Sequence, residues 1–529
     1  MTAPATPTSY DELPYPSFPL AQTHPDRLAT FATLFGMSPP PVERCRVLEI
    51  GCADGGNLLS MAEALPESEF VGIDLSARQI ADGQAVLAAV GLKNVTLRQL
   101  SILDVPADFG PFDYIVCHGV YSWVPPAVQD KILALCGSQL TPNGVAFISY
   151  NTYPGWHNRA VGREMLRFRA RHGGDPQMRT AAARDFLSFV IEAVPEEHAA
   201  YRQLLKEEQE RIGPCADSYV FHEHLEDVND PVYFHEFMTR AAGHGLQYLG
   251  EAEPHGTFAR RVPPEVAAVL DRLGSDVLRR EQYLDFLRER MFRQTLLCRA
   301  SVSLARPPQP ERLAALEVAS SARCKSPLPD LHSAQVEEFQ GRGRVSISTG
   351  HAISKAALVH LAEVWPQAVP FDVLATRARA RLVGDAVVVQ EAAAYARDTH
   401  LLADNLLQAF TADVVKLHVH AARLVLEPGA FPRTSALARF QAGLGTRVTN
   451  LRQQVVDLDP LTIQLVRLLD GRHDRPALVE ALARAVVENN LVVKRFDRAI
   501  TDADYLRHVL TRELDENLRH LGRCALLVA

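Results

Sequence analysis

The fold is decided by the stretch Val47-Leu-Glu-Ile-Gly-Cys-Ala-Asp-Gly-Gly-Asn57. The mostly apolar residues 46–50 predict a buried strand, and a helical pattern begins directly after the stretch. The turn between them contains Gly51 and Gly55, and glycines at such a turn let a ligand approach the backbone closely. Asp74 ends the next apolar run roughly 20 residues on, where a Rossmann-type fold places the carboxylate that binds ribose hydroxyls. The spacing therefore predicts an α/β domain that binds a nucleoside.

The turn differs from two other nucleotide-binding motifs. Ala53 stands where the dinucleotide motif Gly-x-Gly-x-x-Gly has its second glycine. The turn also lacks the Lys and Ser/Thr of a phosphate-binding P-loop. A nucleoside without a pyrophosphate fits better, and the alternative is a structural turn that binds nothing. The turn and Asp74 together resemble the class I S-adenosylmethionine (SAM)-dependent methyltransferases.

Strand and helix patterns alternate along residues 45–150, which is typical of a parallel sheet with helices on both faces. Residues 157–245 are mostly helical in pattern, and strand patterns return at 246–251 and 295–303. Such a late pair of strands completes the seven-stranded, Rossmann-like sheet of class I methyltransferases, so we expect a helical insertion before it. The other predicted strands are 46–50, 69–74, 95–100, 112–117 and 144–150, and the predicted helices between them are 56–65, 76–90 and 126–139.

The resemblance implies cofactor contacts at the ends of the first four strands. Gly51 and Gly55 would hold the amino-acid part of SAM against the backbone, and Glu49 would orient its ammonium or a water. Methyltransferases of this class commonly place Asp at the position of Ser101 to contact adenine. Either Ser101 with its neighbouring backbone or Asp104 does so here, and a turn cap is the alternative for Asp104. The expected cofactor residues are Tyr15, Glu49, Gly51, Cys52, Asp54, Gly55, Asn57, Asp74, Leu75, Ser101, Ile102, His118 and Gly119.

Aromatic and amide side chains follow the next two strand ends, where the fold brings substrate and methyl group together. His118, Tyr121 and Trp123 follow the fourth strand, and Asn151 and Tyr153 follow the fifth. An aromatic wall attracts cations, and both a sulfonium and a lysine ammonium are cations. We take these five as candidate catalytic residues, with a role as hydrophobic anchor as the alternative for Tyr121 and Trp123. The segment is not the Asn/Asp-Pro-Pro-Tyr/Phe motif of base- and glutamine-methylating enzymes, which disfavours DNA methylation.

The segment Tyr219-Val-Phe-His-Glu-His-Leu-Glu-Asp227 lies in the helical insertion. The zinc-protease motif His-Glu-x-x-His fails there, because Glu226 stands where the second His is required. We therefore expect no metal. His222 and Glu223, with Trp156, are candidates for the substrate mouth, and a structural hydrogen-bonding role is the alternative for His222 and Glu223.

Five segments narrow the resemblance to the bacterial methyltransferases that carry a methyltransferase regulatory domain. This group includes protein-lysine methyltransferases that act on outer-membrane proteins. The resemblance covers about residues 10–300 and implies SAM as cofactor, S-adenosylhomocysteine as product and a protein as substrate. It also implies that Tyr10 and Tyr15 lie near the cofactor. The segments are Tyr10-Asp-Glu-x-Pro-Tyr15, His118-Gly-Val-Tyr-Ser-Trp-Val-Pro125, Ser149-Tyr-Asn-Thr-x-Pro-Gly-Trp156, His222-Glu-x-Leu-Glu226 and Phe292-Arg-x-Thr-Leu-Leu297.

Bulk composition limits the classes of partner. The 529 residues carry a net charge of −8, which disfavours a nucleic-acid partner because such proteins usually show a basic domain. The 8 cysteines form no Cys-x-x-Cys pair and are expected as free thiols of a reducing compartment. No signal peptide and no apolar run of about 18–20 residues is visible. We expect a soluble cytoplasmic protein without a membrane segment, and a homodimer stays open.

The domain boundaries follow the pattern changes and the Pro-rich segment 306–310. Two helix-rich units after that segment suggest α+β modules of winged-helix type. The expected divisions are an N-terminal cofactor-covering segment (1–41), the SAM-binding core (42–156), the helical insertion (157–245), the last strands of the sheet (246–305), a first winged-helix-like module (306–430) and a second one (431–529).

Three functions follow, in decreasing order of support. The first is methyl transfer to lysine side chains of a protein by in-line displacement. A lysine amine with a reference pKa near 10.4 must lose a proton first, and burial in an aromatic pocket lowers its pKa without a dedicated base. The second is a small-molecule N- or O-methyltransferase. The third is a SAM-sensing DNA-binding regulator, which the acidic charge disfavours.

Overall fold

The computed structural model describes residues 9–528, apart from 172–173, 255–261, 275, 342, 344, 384–391, 496–497 and 501. Residues 1–8 of the expected covering segment lie outside the described residues. The first helices precede and flank a central sheet. They are α1 (Ser9–Glu12), α2 (Pro25–Leu34), α3 (Gly56–Ala64), α4 (Ala77–Val90) and α5 (Pro126–Gln139).

Seven strands form the central sheet. They are β1 (Arg46–Ile50), β2 (Glu69–Asp74), β3 (Val95–Gln99), β4 (Phe112–Cys117), β5 (Leu140–Asn151), β6 (Leu246–Glu251) and β7 (Phe292–Arg299). Their order is β3-β2-β1-β4-β5-β7-β6, and β7 runs antiparallel to both neighbours. The parallel pairing places the carboxyl ends of β1, β2, β3, β4 and β5 at one edge. The predicted α/β sheet is confirmed.

One predicted strand is shifted relative to the structure. The pattern placed the last strand at 295–303, whereas β7 ends at Arg299. The backbone N–H of Val302 donates to the Arg299 carbonyl at 3.1 Å, so the chain turns there instead of continuing the ladder. The alternation of apolar residues extends into this turn, which is why the sequence pattern extended the strand too far.

The residues between β5 and β7 are mostly helical. A π-helical turn, Phe221–Leu225, follows the short α9 directly and contains the His-Glu-His segment. Single π-turns of this kind occur frequently at functional sites. The helices are α6 (Gly155–Ala170), α7 (Pro176–Ala193), α8 (Ala199–Ile212), α9 (Asp217–Val220) and α10 (Phe234–Gly243), then α11 (Pro264–Leu273) and α12 (Val277–Arg288) after β6.

The first C-terminal unit packs directly against the sheet domain. Its core is continuous with that of α2, and the rings of Phe31 and Phe410 lie 5.8 Å apart. Its small sheets have the orders β11-β10-β9 and β12-β8-β13. The elements are β8 (Glu317–Ala319), β9 (Arg323–Cys324), β10 (Glu337–Gln340), β11 (Ser346–Thr349), α13 (Ala352–Val364), β12 (Val369–Pro370), α14 (Phe371–Val383), α15 (Ala392–Thr411) and β13 (Lys416–His418).

Residues 414–426 alternate in a way that predicts a strand over the whole stretch, but only β13 within it is a strand, which is a second correction. The next backbone N–H groups bond to side chains of α2 instead of to a neighbouring strand. Val419 donates to Thr30 Oγ1 at 3.2 Å, and His420 donates to Asp26 Oδ1 at 2.7 Å. These contacts fasten the unit to α2 and end the ladder.

The last unit reaches the sheet domain through α3. Ser60 Oγ lies 2.5 Å from Gln453 Oε1, and the N–H of Leu437 donates to Glu63 Oε1 at 3.1 Å. The unit therefore packs on the helix that begins at the glycine turn. Its elements are β14 (Arg433–Thr434), α16 (Ala436–Ala442), β15 (Arg447–Thr449), β16 (Val455–Asp457), α17 (Pro460–Leu468), α18 (Arg475–Glu488), β17 (Lys494–Arg495), β18 (Arg498–Ala499), α19 (Ala503–Arg523) and β19 (Leu527–Val528).

Two absences concern the described part of the chain. None of its helices has both the length and the apolar composition needed to cross a membrane. Within the same ranges, no group of three or more His, Cys, Asp or Glu side chains is arranged to hold a metal ion.

Candidate active site

The glycine turn after β1 is tightly packed against the side chains of Val120 and Leu97. Gly51 has φ of +73°, and its N–H donates to the Ile73 carbonyl at 2.8 Å. A Cβ on Gly51 would lie 2.3 Å from Val120 Cγ2. Gly55 has φ of +79°, and a Cβ there would meet Leu97 at 3.0 Å. Both positions thus require glycine, and the turn leaves its backbone free to border a ligand.

Asp74 fastens the turn to the end of β2. Its Oδ2 accepts the N–H of Ala53 and its Oδ1 accepts the N–H of Ser76, each at 2.9 Å. Burial raises the pKa of Asp74. The side chain of Leu75 is 51% exposed beside it, as expected for a residue that would cover a base. Asp74 therefore joins the turn after β1 to the start of α4 and stands where ribose hydroxyls are expected.

Four further cofactor candidates lie around the same edge. Ser101 Oγ accepts the N–H of Leu103 at 3.3 Å and so caps the turn 102–104. Ile102 is half-buried and Asp104 is exposed on this turn. Cys52 is buried against Gly72, where a Cβ would come within 2.7 Å of its Sγ. Only the backbone of Cys52 is therefore placed to face a ligand.

Glu49 is a buried carboxyl group with one unsatisfied oxygen. Asn57 Nδ2 donates to its Oε1 at 2.8 Å, whereas its Oε2 has no hydrogen-bond partner among the described residues. Burial raises the pKa of Glu49 to about 8. An ammonium group would satisfy the second oxygen and stabilise the carboxylate. Together with the glycine turn, this group fits the amino-acid end of SAM.

Replacing Glu49 by Gln is expected to stabilise the cofactor-free protein more at pH 8 than at pH 5. The unfolded glutamate ionises near 4.5, whereas the folded one keeps its proton to about 8. Rising pH between these values therefore lowers the free energy of unfolding of the wild type, but not that of the variant. SAM affinity is expected to fall about tenfold. Thermal melting at both pH values and calorimetry check this; an equal melting shift at both pH values would contradict it.

An N-terminal strap, defined here as residues 9–24, lies across the cofactor edge. Asp11 Oδ1 lies 2.6 Å from Ser76 Oγ, and Gln79 Nε2 donates to the Tyr15 carbonyl at 3.1 Å. Further on, the N–H of Leu20 donates to Asn57 Oδ1 at 2.8 Å. The strap thus contacts both helices that begin at the cofactor turns, α3 and α4.

The strap is also held by the π-helical turn. The ring of Tyr10 stacks on His222 at 4.3 Å with 7° between the planes, and the ring of Tyr15 meets the same imidazole edge-on at 5.9 Å. His222 Nε2 donates to the Leu13 carbonyl at 2.6 Å, and its Nδ1 lies 3.0 Å from Glu226 Oε1. His222 is only 4% exposed, and its contacts with Tyr10, Tyr15 and Leu13 hold the strap in place.

Replacing Tyr10 by Ala is expected to weaken S-adenosylhomocysteine binding about five- to tenfold, mainly through faster dissociation. The substitution removes the stack on His222, and an aromatic pair contributes roughly 0.5–1.5 kcal/mol. Tyr10→Phe keeps the ring and is the matched control, with dissociation close to wild type. Stopped-flow displacement measures the rates. An alanine variant that releases the ligand at the wild-type rate would show that the strap does not retain it.

Glu223 lies in the π-helical turn between an arginine and the strap tyrosines. Arg159 Nη1 donates to Glu223 Oε1 at 3.0 Å, and its Nη2 donates to Glu208 Oε1 at 3.3 Å. Burial raises the pKa of Glu223 against the attraction of Arg159. The charge of Glu223 in turn contributes, after burial, to the raised pKa values of Tyr10 and Tyr15. Glu223 follows His222 in the π-helical turn and both phenol rings contact that imidazole, so the three side chains belong to one region beside the cofactor edge.

His118 follows β4 on the other side of the edge. Burial lowers the pKa of His118 to about 4, so its imidazole is neutral near pH 7. Its Nδ1 has no hydrogen-bond partner among the described residues, and its ring lies 5.9 Å from that of Phe147. The N–H of Gly119 donates to Ser149 Oγ at 2.8 Å, and a Cβ on Gly119 would meet nothing within 4 Å. The space beside Gly119 is therefore open, whereas His118 Nδ1 is buried.

Three of the residues expected to contact substrate are buried in the protein interior in this structure. Tyr121 is fully buried, with Phe237 edge-on at 5.2 Å. Asn151 is 3% exposed and donates to Asn229 Oδ1 at 2.9 Å. Trp156 is 1% exposed, and the Arg159 guanidinium lies 4.5 Å above its ring. The apolar walls of β4, β5 and α6 bury these side chains, so none of the three borders an open surface in this structure.

Trp123 and Tyr153 remain closer to solvent. Trp123 is half-buried and meets Trp156 edge-on at 6.3 Å. Tyr153 is half-buried and stacks on His157 at 4.1 Å. Of the five expected catalytic side chains, these two and His118 are the ones that the structure leaves partly exposed.

Sequence reasoning missed Arg159 and Glu208, which position Glu223. Their contacts span 64 and 49 positions along the chain. No spacing rule connects such distant residues, and Arg159 lies in a helix with several other arginines. Gln79 was also missed, although its place one turn into α4 after Asp74 was a usable signal.

Comparison with known families finds three matching domain models. Residues 48–146 match a methyltransferase domain, residues 216–299 match a predicted methyltransferase regulatory domain, and residues 431–526 match the C-terminal winged-helix domain of PKMT.

Whole-chain relatives come from Rickettsia. An uncharacterised protein of Rickettsia prowazekii is 34% identical over 98% of this chain and 93% of its own length. PKMT2 from Rickettsia typhi is 32% identical, with a TM-score of 0.83 over 98% of this chain and 100% of the other. The structure of PKMT2 in complex with AdoHcy gives 31% identity and a TM-score of 0.85 over the same shares.

Proposed function

We propose that lysine side chains of a protein are the substrate of this chain, which belongs to the family of SAM-dependent methyltransferases that includes PKMT2 of Rickettsia typhi. The observation that carries the proposal is the likeness to PKMT2 along the whole chain, winged-helix domain included. A small molecule would need no such C-terminal extension. Glu223, Tyr10 and Tyr15 beside the cofactor edge could accept hydrogen bonds from an ammonium or amine, which supports an amine as the nucleophile.

In this proposal, the residues around the glycine turn hold the cofactor. Glu49 binds the ammonium of its amino-acid part, Gly51 borders that part with its backbone, and Asp74 binds the ribose. When bound, SAM supplies a methyl group on a sulfonium. An amine would attack that methyl carbon in line, the sulfur–methyl bond would break, and S-adenosylhomocysteine would leave without a covalent enzyme intermediate. The protein's task is to bring the amine close, in line and away from water.

The acceptor side is built from the strap and the π-helical turn. Glu223 would attract the incoming lysine ammonium, and Tyr10 and Tyr15 would cover it. Burial there disfavours the charged form and so opposes the attraction of Glu223, and the amine attacks in the fraction that has lost its proton to solvent. His118 and Trp123 would border the amine from the strand ends. Tyr121, Asn151 and Trp156 would support these groups from beneath.

The eight cysteines are all free in the structure, five of them buried. Unpaired thiols are typical of a reducing compartment. We accordingly propose that the protein acts in the cytoplasm.

Methyl-labelled SAM added to a lysate of the host tests the proposed substrate. The products are separated into protein, nucleic acid and small molecules, and Asp74→Ala protein is the matched control. We expect label in protein that survives hot acid and appears as methyl-lysine after hydrolysis. Label confined to small molecules would replace the proposal by a metabolite methyltransferase. Label in nucleic acid would contradict the acidic-charge argument as well.

A further inference from the structure

Three half-exposed or exposed rings form a patch just beyond the end of β5. The patch, as defined here, consists of Tyr153, His157 and Tyr233. Tyr153 stacks on His157 at 4.1 Å with 15° between the planes, and it meets Tyr233 at 5.2 Å with a tilt of 47°. His157 Nε2 lies 3.1 Å from the Tyr233 hydroxyl, within hydrogen-bond distance. The rings are therefore held in one arrangement.

The patch lies at a surface, unlike the core aromatics nearby. Tyr153 and Tyr233 are half-buried and His157 is exposed, whereas Tyr150 is 1% exposed. Tyr233 is supported from the side by Phe286, whose ring lies 5.9 Å away. Hydrophobic packing does not require aromatic rings at such a position, because much of their surface remains in water.

Carboxylates border the patch. The charges of Asp230 and Glu236 both contribute, after burial, to the raised pKa of Tyr153. Asp230 is fixed by its N–H, which donates to the Ser122 carbonyl at 2.8 Å, and by Gln129 Nε2, which donates to its Oδ2 at 3.2 Å. Glu236 Oε2 accepts the N–H of Tyr233 at 3.1 Å. Negative charge is thus held close to the patch.

We propose that Tyr153, His157 and Tyr233, with Asp230 and Glu236, form a binding site for an alkylammonium group. Aromatic faces attract such cations through the ring quadrupole, and clusters of aromatic rings bind methylated ammonium groups in particular. Fixed carboxylates add charge attraction that a neutral ligand does not experience. The chemistry selects lysine and its methylated forms over neutral side chains.

This inference rests on the proposed lysine substrate and adds a site to it. Strand β5 pairs with β4, with Cys117 opposite Ile148, so the patch shares an edge with His118. The bound group would be either an unmodified lysine or a methyl-lysine of the substrate, and the two share the ammonium chemistry. A site that retains methyl-lysine would keep a modified substrate on the enzyme for a further transfer.

Ligand-observed NMR on the full chain loaded with S-adenosylhomocysteine tests the site. The probes are amide-capped trimethyllysine, amide-capped lysine and the neutral isostere in which carbon replaces the trimethylated nitrogen. We expect the trimethylated cation to bind roughly five- to thirty-fold more tightly than the neutral isostere. The lysine probe shows which form of the substrate side chain the site prefers. If lysine binds more tightly than trimethyllysine, the site receives the incoming substrate. If lysine binds more weakly, the site retains the methylated product.

Substitutions distinguish the contribution of the aromatic rings to cation binding from that of the carboxylates. Tyr153→Ala and Tyr233→Ala are expected to weaken cation binding at least fivefold, whereas Tyr153→Phe keeps the ring and the affinity. Glu236→Gln keeps the size of the side chain and is expected to weaken binding a few-fold. Tyr201→Ala, which removes an exposed tyrosine of α8, is the control that leaves binding unchanged. Retained S-adenosylhomocysteine binding shows that each variant is folded.

Equal binding of the cation and its neutral isostere would overturn the inference, as would wild-type affinity in Tyr153→Ala. The proposed function would survive that result if the lysate assay still gave methyl-lysine. Conversely, selective cation binding with label only in small molecules would keep the site and refute the protein substrate.

Discussion

Replacing Asp74 by alanine is expected to weaken SAM binding at least about a hundredfold. The carboxylate accepts the N–H groups of Ala53 and Ser76, and so it holds the glycine turn and the start of α4 in place. Each hydrogen bond to a charged group contributes roughly 1.5–3 kcal/mol. Losing two of them and the proposed ribose contact exceeds the roughly 2.8 kcal/mol that a hundredfold loss requires. Titration calorimetry with SAM and S-adenosylhomocysteine measures the effect.

Two further variants test whether the loss of binding comes from the carboxylate of Asp74. Asp74→Asn keeps the size of the side chain but turns an amide donor toward one of the two N–H groups, so it is also expected to bind weakly. Asp108→Ala, at an exposed position before β4, is expected to bind SAM like the wild type. Alanine at position 74 with binding within threefold of wild type would refute the placement of the cofactor.

Replacing Arg293 by methionine is expected to lower the free energy of unfolding by about 3–5 kcal/mol. Arg293 is fully buried, and its guanidinium donates to Glu251 at 2.6 Å, Asp285 at 2.8 Å and Glu281 at 3.1 Å. It also lies 3.8 Å above the ring of Phe234. Without it, three buried carboxyl groups would lose their common partner. Urea unfolding followed by circular dichroism measures the loss.

The partners of Arg293 provide a rescue that a simple packing defect would not show. Adding Glu281→Gln and Asp285→Asn to the methionine variant removes two of the three carboxylates that lost their partner and is expected to recover part of the stability. Arg290→Ala is the matched control, because its guanidinium is 17% exposed and lies 3.6 Å from Asp285. Its loss is expected to be smaller. If the three substitutions together are less stable than Arg293→Met alone, charge is not the cause.

The cofactor half of the site could be predicted because its signals are local. Glycines at 51 and 55 report backbone conformations that only a few neighbouring residues determine, and Asp74 stands one βα unit away. The sheet could be predicted for the same reason, since each strand carries its own apolar run. The two shifted strand ends arose where backbone groups found partners that the local pattern does not contain, the Arg299 turn and the side chains of α2.

The acceptor half depends on contacts between distant parts of the chain. Tyr10 meets His222 across more than two hundred positions, and Arg159 meets Glu223 across 64. Whether an aromatic residue after a strand faces the site or the core also depends on which helix covers it. Tyr121 is buried under Phe237 of α10, whereas Tyr153 remains half-exposed.

The sequence by itself thus determined the class of fold, the cofactor and the position of the glycine turn. Their physical basis, strand periodicity and backbone conformation, extends over only a few residues. The tertiary structure alone decided which candidate side chains reach the substrate side, what covers the cofactor edge and which charges are paired. Those properties depend on burial and on long-range packing, which no short segment of the chain encodes.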